Sequence, residues 1–451
     1  MKKREKKNVL GIIDSLEKIN QLLLKNLDSG IKVRIETLID CQTAAQEAGN
    51  VLESQGDPVE KIVEILEEYC ESLYQMSLCR DDLRQCRRWS KKIQKQLANI
   101  KNEILYGLSD EKKEVVFLPY KASMWDSLES VWQAAEEDGQ CDAYVIPIPY
   151  YDKNPDGSLG EMHYEGEEYP EYVPIVSWKE YDISEHYPDV IYIHNPYDNW
   201  NYVTTVHPDF YASKLCQYTD LLVYIPYFVA INDTVEEHFC VAPGILYAHK
   251  VIVQSEKVRQ TYIEQLHKFE KEHHCQDAFG KAEDKIIALG SPKYDKVQGA
   301  GKEEYQIPED WRKKVIRADG SKKNVILYNT TIGSMLDQQK VMIEKIKNVL
   351  EIFQNNQEVV LLWRPHPLLK TTLQSMRPEL LQAYEEIEEH YKSAGWGIYD
   401  DSSDLHRAIA LSDAYYGDMS SVVELYKQTG KPIMIQNAEV LEQHEGAEYG
   451  L

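Results

Sequence analysis

Residues 358–366 read EVVLLWRPH: a run of apolar side chains that turns abruptly into Arg364, Pro365 and His366, with Pro367 next. Val359 to Trp363 show no apolar–polar alternation. A strand of that kind is covered on both faces, as parallel strands between helices are. Proline is a common strand stop, and Pro365 and Pro367 fix the turn while withholding two N–H donors. The sheet type therefore follows from the apolar run, and the turn after it places an arginine and a histidine at the strand's carboxyl end.

The same texture recurs on either side. VVFLPY (115–120), DAYVIPIPY (142–150), DVIYIHNPY (189–197), LLVYIPY (221–227), KVIVQS (250–255) and KIIALG (285–290) alternate with helical segments. After a polar, Lys-rich stretch at 298–314, NVILYNTT (324–331), EVVLLWRPH, WGIYDD (396–401), DAYYGD (413–418) and KPIMIQ (431–436) repeat the alternation. Strand–helix alternation predicts doubly wound parallel sheets. Two such runs predict two α/β domains, 111–300 and 301–451, facing a cleft, with ligands outside the carboxyl ends of the strands.

Residues 1–110 differ. Leu10, Ile13, Leu16, Ile19 and Leu23 make one apolar stripe at helical spacing, and Val59 to Leu73 and Leu83 to Ile104 continue the pattern. The break at SQGDP (54–58) lets Pro58 open the next helix. A bundle or hairpin of three or four helices is expected. Its stripes lack partners within a short hairpin, which points to homo-oligomerisation through 1–110.

The net charge of −25 argues against general nucleic-acid binding or broad adhesion to anionic lipid. No strongly basic amphipathic helix stands out to dock a membrane. The eight cysteines form no C-x-x-C pair and read as reduced thiols. In the basic opening MKKREKKNVLGIIDSLEK, Asp14, Glu17 and Lys18 interrupt the apolar run a signal peptide needs. A cytoplasmic protein is expected, peripheral at the inner membrane face if its acceptor is membrane-bound.

DAYYGDMSSVVELYKQTGKPIMI (413–435) repeats the design of the opening stretch. A strand ends at Gly417, and Asp418, Ser420 and Ser421 precede a helix whose free N–H groups suit phosphate. Arg364 can fork onto a phosphate, and His366 can donate to a phosphate or a leaving oxygen.

With these segments in order, the chain resembles the CDP-glycerol glycerophosphotransferases, the teichoic-acid polymerases and primases of two-domain GT-B architecture. ALGSPKYDKV (288–297) is similar to the family's Gly-x-Pro-Arg-x-Asp stretch, with Lys293 in the arginine's place. ILYNTTIG (326–333) puts Thr330 at the family's threonine but lacks the arginine of its Pro-Thr-Trp-Arg ending. LLWRPHPLL (361–369) aligns His366 with the donor-site histidine, and residues 404–435 align Asp418, Ser420 and Ser421 with groups around the donor diphosphate. The likeness spans roughly 115–437 and is stronger in its second half.

The resemblance implies transfer of an alditol phosphate from a CDP-activated donor to an acceptor hydroxyl, with release of CMP. The acceptor would be a polyol phosphate, a lipid-linked chain or a glycan. No cofactor is implied, and no metal is demanded where cationic groups already face the diphosphate. The family's His-Gly-Thr-Pro turn has no counterpart; the comparable place reads LLVYIPYFVA (221–230). His194, in HNPYDNW with Asn195 and Asp198, is the candidate replacement base, while His207 suits a helix cap. HKFEKEHHC (267–275) reads as a solvated helical face rather than a metal site. A nucleotide-sugar glycosyltransferase of the same architecture and an inactive nucleotide-binding scaffold are the alternatives.

Overall fold

The computed structural model describes residues 3–436 except 30, 55–58, 80, 109–111, 155, 300–306, 318 and 403. The chain divides into two compact units, Met1–Lys113 with Gly139–Asp142, and Glu114–Asp138 with Ala143–Leu451.

The first unit is built from four helices: α1 (Lys3–Asp28), α2 (Ile35–Ser54), α3 (Glu60–Leu78) and α4 (Leu83–Asn102). The expected stripes converge on one core, in which Ile13, Leu16, Leu52, Leu66, Tyr69, Leu97 and Ile100 are all buried. Asp82 caps α4 by accepting from the N–H groups of Arg84 and Gln85 at 2.9 and 3.1 Å. A buried polar pair ties α1 to α4: Asn20 Nδ2 donates to the Ser90 carbonyl, and Ser90 Oγ to Asn20 Oδ1. With four helices rather than a short hairpin, the stripes find their partners inside the unit. The argument for self-association from unpaired stripes therefore loses its basis. The expected opening at Pro58 lies outside the described residues; α3 begins at Glu60.

The second unit carries two parallel sheets, the GT-B-like arrangement. Strands β1 (Lys113–Leu118), β2 (Cys141–Val145), β5 (Val190–Ile193), β7 (Leu221–Tyr224), β8 (Lys250–Val253) and β9 (Ile286–Ala288) form a sheet of order β2-β1-β5-β7-β8-β9. Strands β10 (Asn324–Thr330), β11 (Val359–Pro365), β12 (Ile398–Tyr399), β13 (Ala414–Gly417) and β14 (Ile433–Ile435) form another, of order β12-β11-β10-β13-β14. A small antiparallel sheet, β4-β3-β6, built from β3 (Tyr150–Lys153), β4 (Leu159–His163) and β6 (Thr204–Val206), was not expected. Its strands are short and mostly polar, so they lack the apolar signature that marks the others.

β11 shows why the opening stretch reads as it does. Val360 and Leu362 enter the core on one face of the sheet, while Leu361 and Trp363 enter the core on the other, as the two-residue period of a strand requires. Trp363 is fully buried, its ring edge-on to Tyr384, Tyr391 and Tyr399. Beside it, Gly417 lets β13 end tightly against β10. Its φ is +142°, and an added Cβ would sit 2.3 Å from the Asn329 carbonyl oxygen. Gly417→Ala is expected to lower the unfolding free energy of the second unit by about 2–3 kcal/mol, from backbone strain and overpacking. Urea denaturation followed by tryptophan fluorescence measures it, and an unchanged midpoint would refute it.

Candidate functional site

Each sheet reverses its strand order once, at β1/β5 in the first and at β10/β13 in the second. Such switch points leave a crevice at the carboxyl ends of the strands. The segments that follow those ends meet between the sheets. The Asn232 N–H, past β7, donates to Glu424 Oε1 at 3.0 Å. Asp126, past β1, bonds His406, past β12, at 2.7 Å.

In the second sheet β10 lies between β11 and β13, with Thr330 opposite Pro365 and Asn329 opposite Gly417. His366, Thr331 and the Ser420–Ser421 turn therefore leave the same edge of the sheet. His366 is the best placed of the expected residues. Its side chain is exposed, and its backbone N–H donates to the Thr330 carbonyl at 2.9 Å. Its Nδ1 accepts from the Leu368 N–H at 3.1 Å, which puts the ring proton on Nε2. Partial burial, then the neighbouring Arg364 charge, lower its pKa, so the ring is a neutral donor at pH 7. Ser421 is exposed as the first residue of the helix Ser421–Lys427. Ser420 Oγ donates to Asn329 Oδ1 at 3.2 Å.

Four other expectations are corrected here. Arg364 is buried; its guanidinium is bonded to Asp400, and Nη2 donates to the Ser402 carbonyl at 2.8 Å, so the fork meant for a phosphate is already occupied. Asp418 is turned inward. It is buried against Lys345 Nζ at 2.5 Å and accepts from the Thr331 N–H at 2.9 Å. Thr330 is fully buried, its hydroxyl accepting from Trp363 Nε1 at 3.2 Å. Lys293 Nζ is held by both oxygens of Asp126 at 2.6 Å. Burial works to raise the Asp126 pKa, but Lys293 and His406 pull it well below the carboxylate range. Each expected cation has thus met a carboxylate, and the expected residues still exposed at the edge, His366 and Ser421, offer neutral N–H and O–H groups.

Sequence reasoning missed Asp126, Lys345, Asp400 and His406. Asp400 had a signal. An arginine ending a buried strand requires a carboxylate, and YDDSSD (399–404) supplies one. Among the described residues, a group spaced as metal ligands is Asp152, Glu161 and His163, on the small antiparallel sheet.

The replacement base also fails. His194 is fully buried at the end of β5. Its Nε2 accepts from the Tyr120 N–H at 3.2 Å, and Nδ1 meets Ser127 Oγ at 2.9 Å, so both ring nitrogens are in use. Ser127 Oγ itself donates to the Met124 carbonyl, so it receives the Nδ1 proton. Asp198 is structural as well, accepting from the Ala212 N–H at 2.8 Å. His207 does cap the turn that follows, its Nδ1 accepting from the Asp209 N–H. His267 pairs with Glu283 at the surface.

Burial depresses the His194 pKa to about 3. Below pH 6.5 the unfolded chain binds a proton that the folded chain refuses until about pH 3, so stability falls with pH across that window. His194→Gln should flatten the pH dependence of unfolding there by up to about 1.4 kcal/mol per pH unit. Parallel slopes for the two proteins would contradict this placement of the ring.

No curated protein matches the chain. Solved structures that do include a UDP-N-acetylglucosamine 2-epimerase, 12% identical over 75% of this chain and 82% of that one, TM-score 0.44. Another is the Methanocaldococcus jannaschii UDP-GlcNAc 2-epimerase, 13% identical over 74% and 86%, TM-score 0.40. The Wall Teichoic Acid Polymerase TagF is 13% identical over 86% and 82%, TM-score 0.39. At these scores none carries an argument. Residues 250–446, which contain Lys293, Thr330, Arg364, His366, Asp418, Ser420 and Ser421, match the CDP-Glycerol:Poly(glycerophosphate) glycerophosphotransferase family.

Proposed function

We propose that the second unit binds a CDP-activated alditol, glycerol phosphate foremost, at the carboxyl ends of β10, β11 and β13, and transfers the alditol phosphate to an acceptor hydroxyl. The acceptor oxygen forms a bond to the phosphorus bearing the alditol, the bond from that phosphorus to the CMP oxygen breaks, and the acceptor proton passes to a base. The product would extend a teichoic-acid-like polyol-phosphate chain. Such a reaction asks the protein mainly for positioning and charge stabilisation. The observation that carries the reading is His366, exposed at the carboxyl end of β11 with its Nδ1 engaged by the Leu368 N–H, at the same sheet edge as the hydroxyl-bearing turns after β10 and β13 and inside the segment that matches the family. His366 would donate to the diphosphate as negative charge passes to CMP, with Ser421 and the backbone N–H groups of its turn as further donors.

The pairing of Arg364 with Asp400 and the burial of His194 favour a second reading, a CDP-alditol-binding protein that does not turn over. Thermal shifts with CDP-glycerol, CDP-ribitol and UDP-sugars identify the donor, and CMP release in the presence of an acceptor separates enzyme from binder. His366→Ala should cut transfer by about 10²-fold or more without moving the melting temperature. Ser421→Ala should weaken donor binding less, since the backbone N–H groups remain. A His366→Ala protein that transfers at the wild-type rate would reduce the turn to a strand stop.

A further inference from the structure

α4 is the electrostatic exception of this chain. Its sequence, LRQCRRWSKKIQKQLANIKN, holds seven basic residues and no acidic one, in a protein of net charge −25. Cys86, Ile93, Leu97 and Ile100 turn into the bundle core. Two of the cations are matched: Lys101 with Asp14 at 2.5 Å and Arg87 with Asp28 at 3.0 Å. Arg84, Arg88, Lys91, Lys92 and Lys95 are exposed and make no ion pair among the described residues. Arg84, Arg88, Lys91 and Lys95 follow one another at helical spacing, a line of charge about 16 Å long with steps of about 5–6 Å. Like charges three and four apart destabilise a helix, and no acidic residue of α4 relieves them. By contrast α3 carries five glutamates against one lysine. The expectation that no strongly basic amphipathic helix is present is corrected by this element.

We propose that the exposed face of α4 is a binding surface for a flexible phosphodiester polyanion, and that its occupant is a poly(glycerol phosphate) chain; the choice of that polymer rests on the transferase reading above. The line of cations matches a chain bearing one charge per repeat, and arginine forks onto phosphate oxygens. A bilayer fits less well. Interfacial helices bury large apolar side chains in the lipid boundary, but the apolar side of α4 is spent in the core. Trp89 is half-buried, with Lys92 Nζ over its ring at 5.1 Å.

The test uses the full chain and a fluorescent, soluble poly(glycerol phosphate). Binding is measured over a salt series for wild type, for Arg84→Gln/Arg88→Gln/Lys91→Gln/Lys95→Gln, and for a control of equal charge change, Lys268→Gln/Lys313→Gln/Lys347→Gln/Lys370→Gln. The first variant should bind at least about tenfold more weakly, with a log–log salt slope shallower by about 3, at roughly 0.7 per phosphate released. The control should bind as wild type does, and all three should share one thermal melt. Equal binding by both variants overturns the proposal. So does binding of phosphatidylglycerol vesicles, or of single-stranded DNA, by wild type that ignores the soluble polymer. CMP release is read separately: polymer binding lost with the stripe but no CMP from CDP-glycerol supports this surface and sinks the transferase reading. CMP release with polymer binding indifferent to the stripe does the reverse.

Discussion

Asp418 is the point on which the second sheet's carboxyl edge depends. Its carboxylate, buried at the β10/β13 switch point, holds Lys345 Nζ and the Thr331 N–H, and its own N–H and carbonyl meet Asn329 and the Tyr415 hydroxyl. A carboxylate in such a place must be paired, and removing either partner of a buried ion pair typically costs about 3–5 kcal/mol. The pair therefore locks the turns after β10 and β13 to the helix Lys340–Gln354 that carries Lys345. Gly417 makes the lock possible, because only a residue without Cβ lets the strand end so close to Asn329.

The same economy runs through the rest of the edge. Arg364 is committed to Asp400 and Lys293 to Asp126, and the second of these joins the segments following the two sheets through His406. These charges thus serve to hold the unit together. Among the described residues expected at the site, those left exposed at the edge offer neutral groups: an imidazole N–H and a serine hydroxyl, with backbone N–H groups beside them. In the proposed reading, a diphosphate would be held there by oriented dipoles rather than by net charge, as helix starts and oriented N–H groups hold anions.

Charge of the other kind is concentrated on α4, where two cations meet carboxylates and five make no ion pair among the described residues. A net charge of −25 spread over the whole chain hides a basic face 12 residues long, because composition averages over surfaces that never face one partner together.

Sequence by itself determined the two parallel sheets. Runs such as Val359–Trp363 and Val325–Tyr328 have to be covered on both faces, and that dictates parallel strands between helices whatever the neighbours are. The helical stripes of the first unit and the histidine-bearing turn after β11 were legible for the same reason: the signal is local and periodic. Tertiary structure alone decided the partners. That Arg364 meets Asp400, Asp418 meets Lys345 and His194 lies between Tyr120 and Ser127 depends on which strands are adjacent, and no local pattern encodes adjacency. An ionisable side chain at a strand's mouth looks the same in sequence whether it faces a ligand or a buried counter-charge. The energy of burial, which forbids an unpaired charge, made the choice.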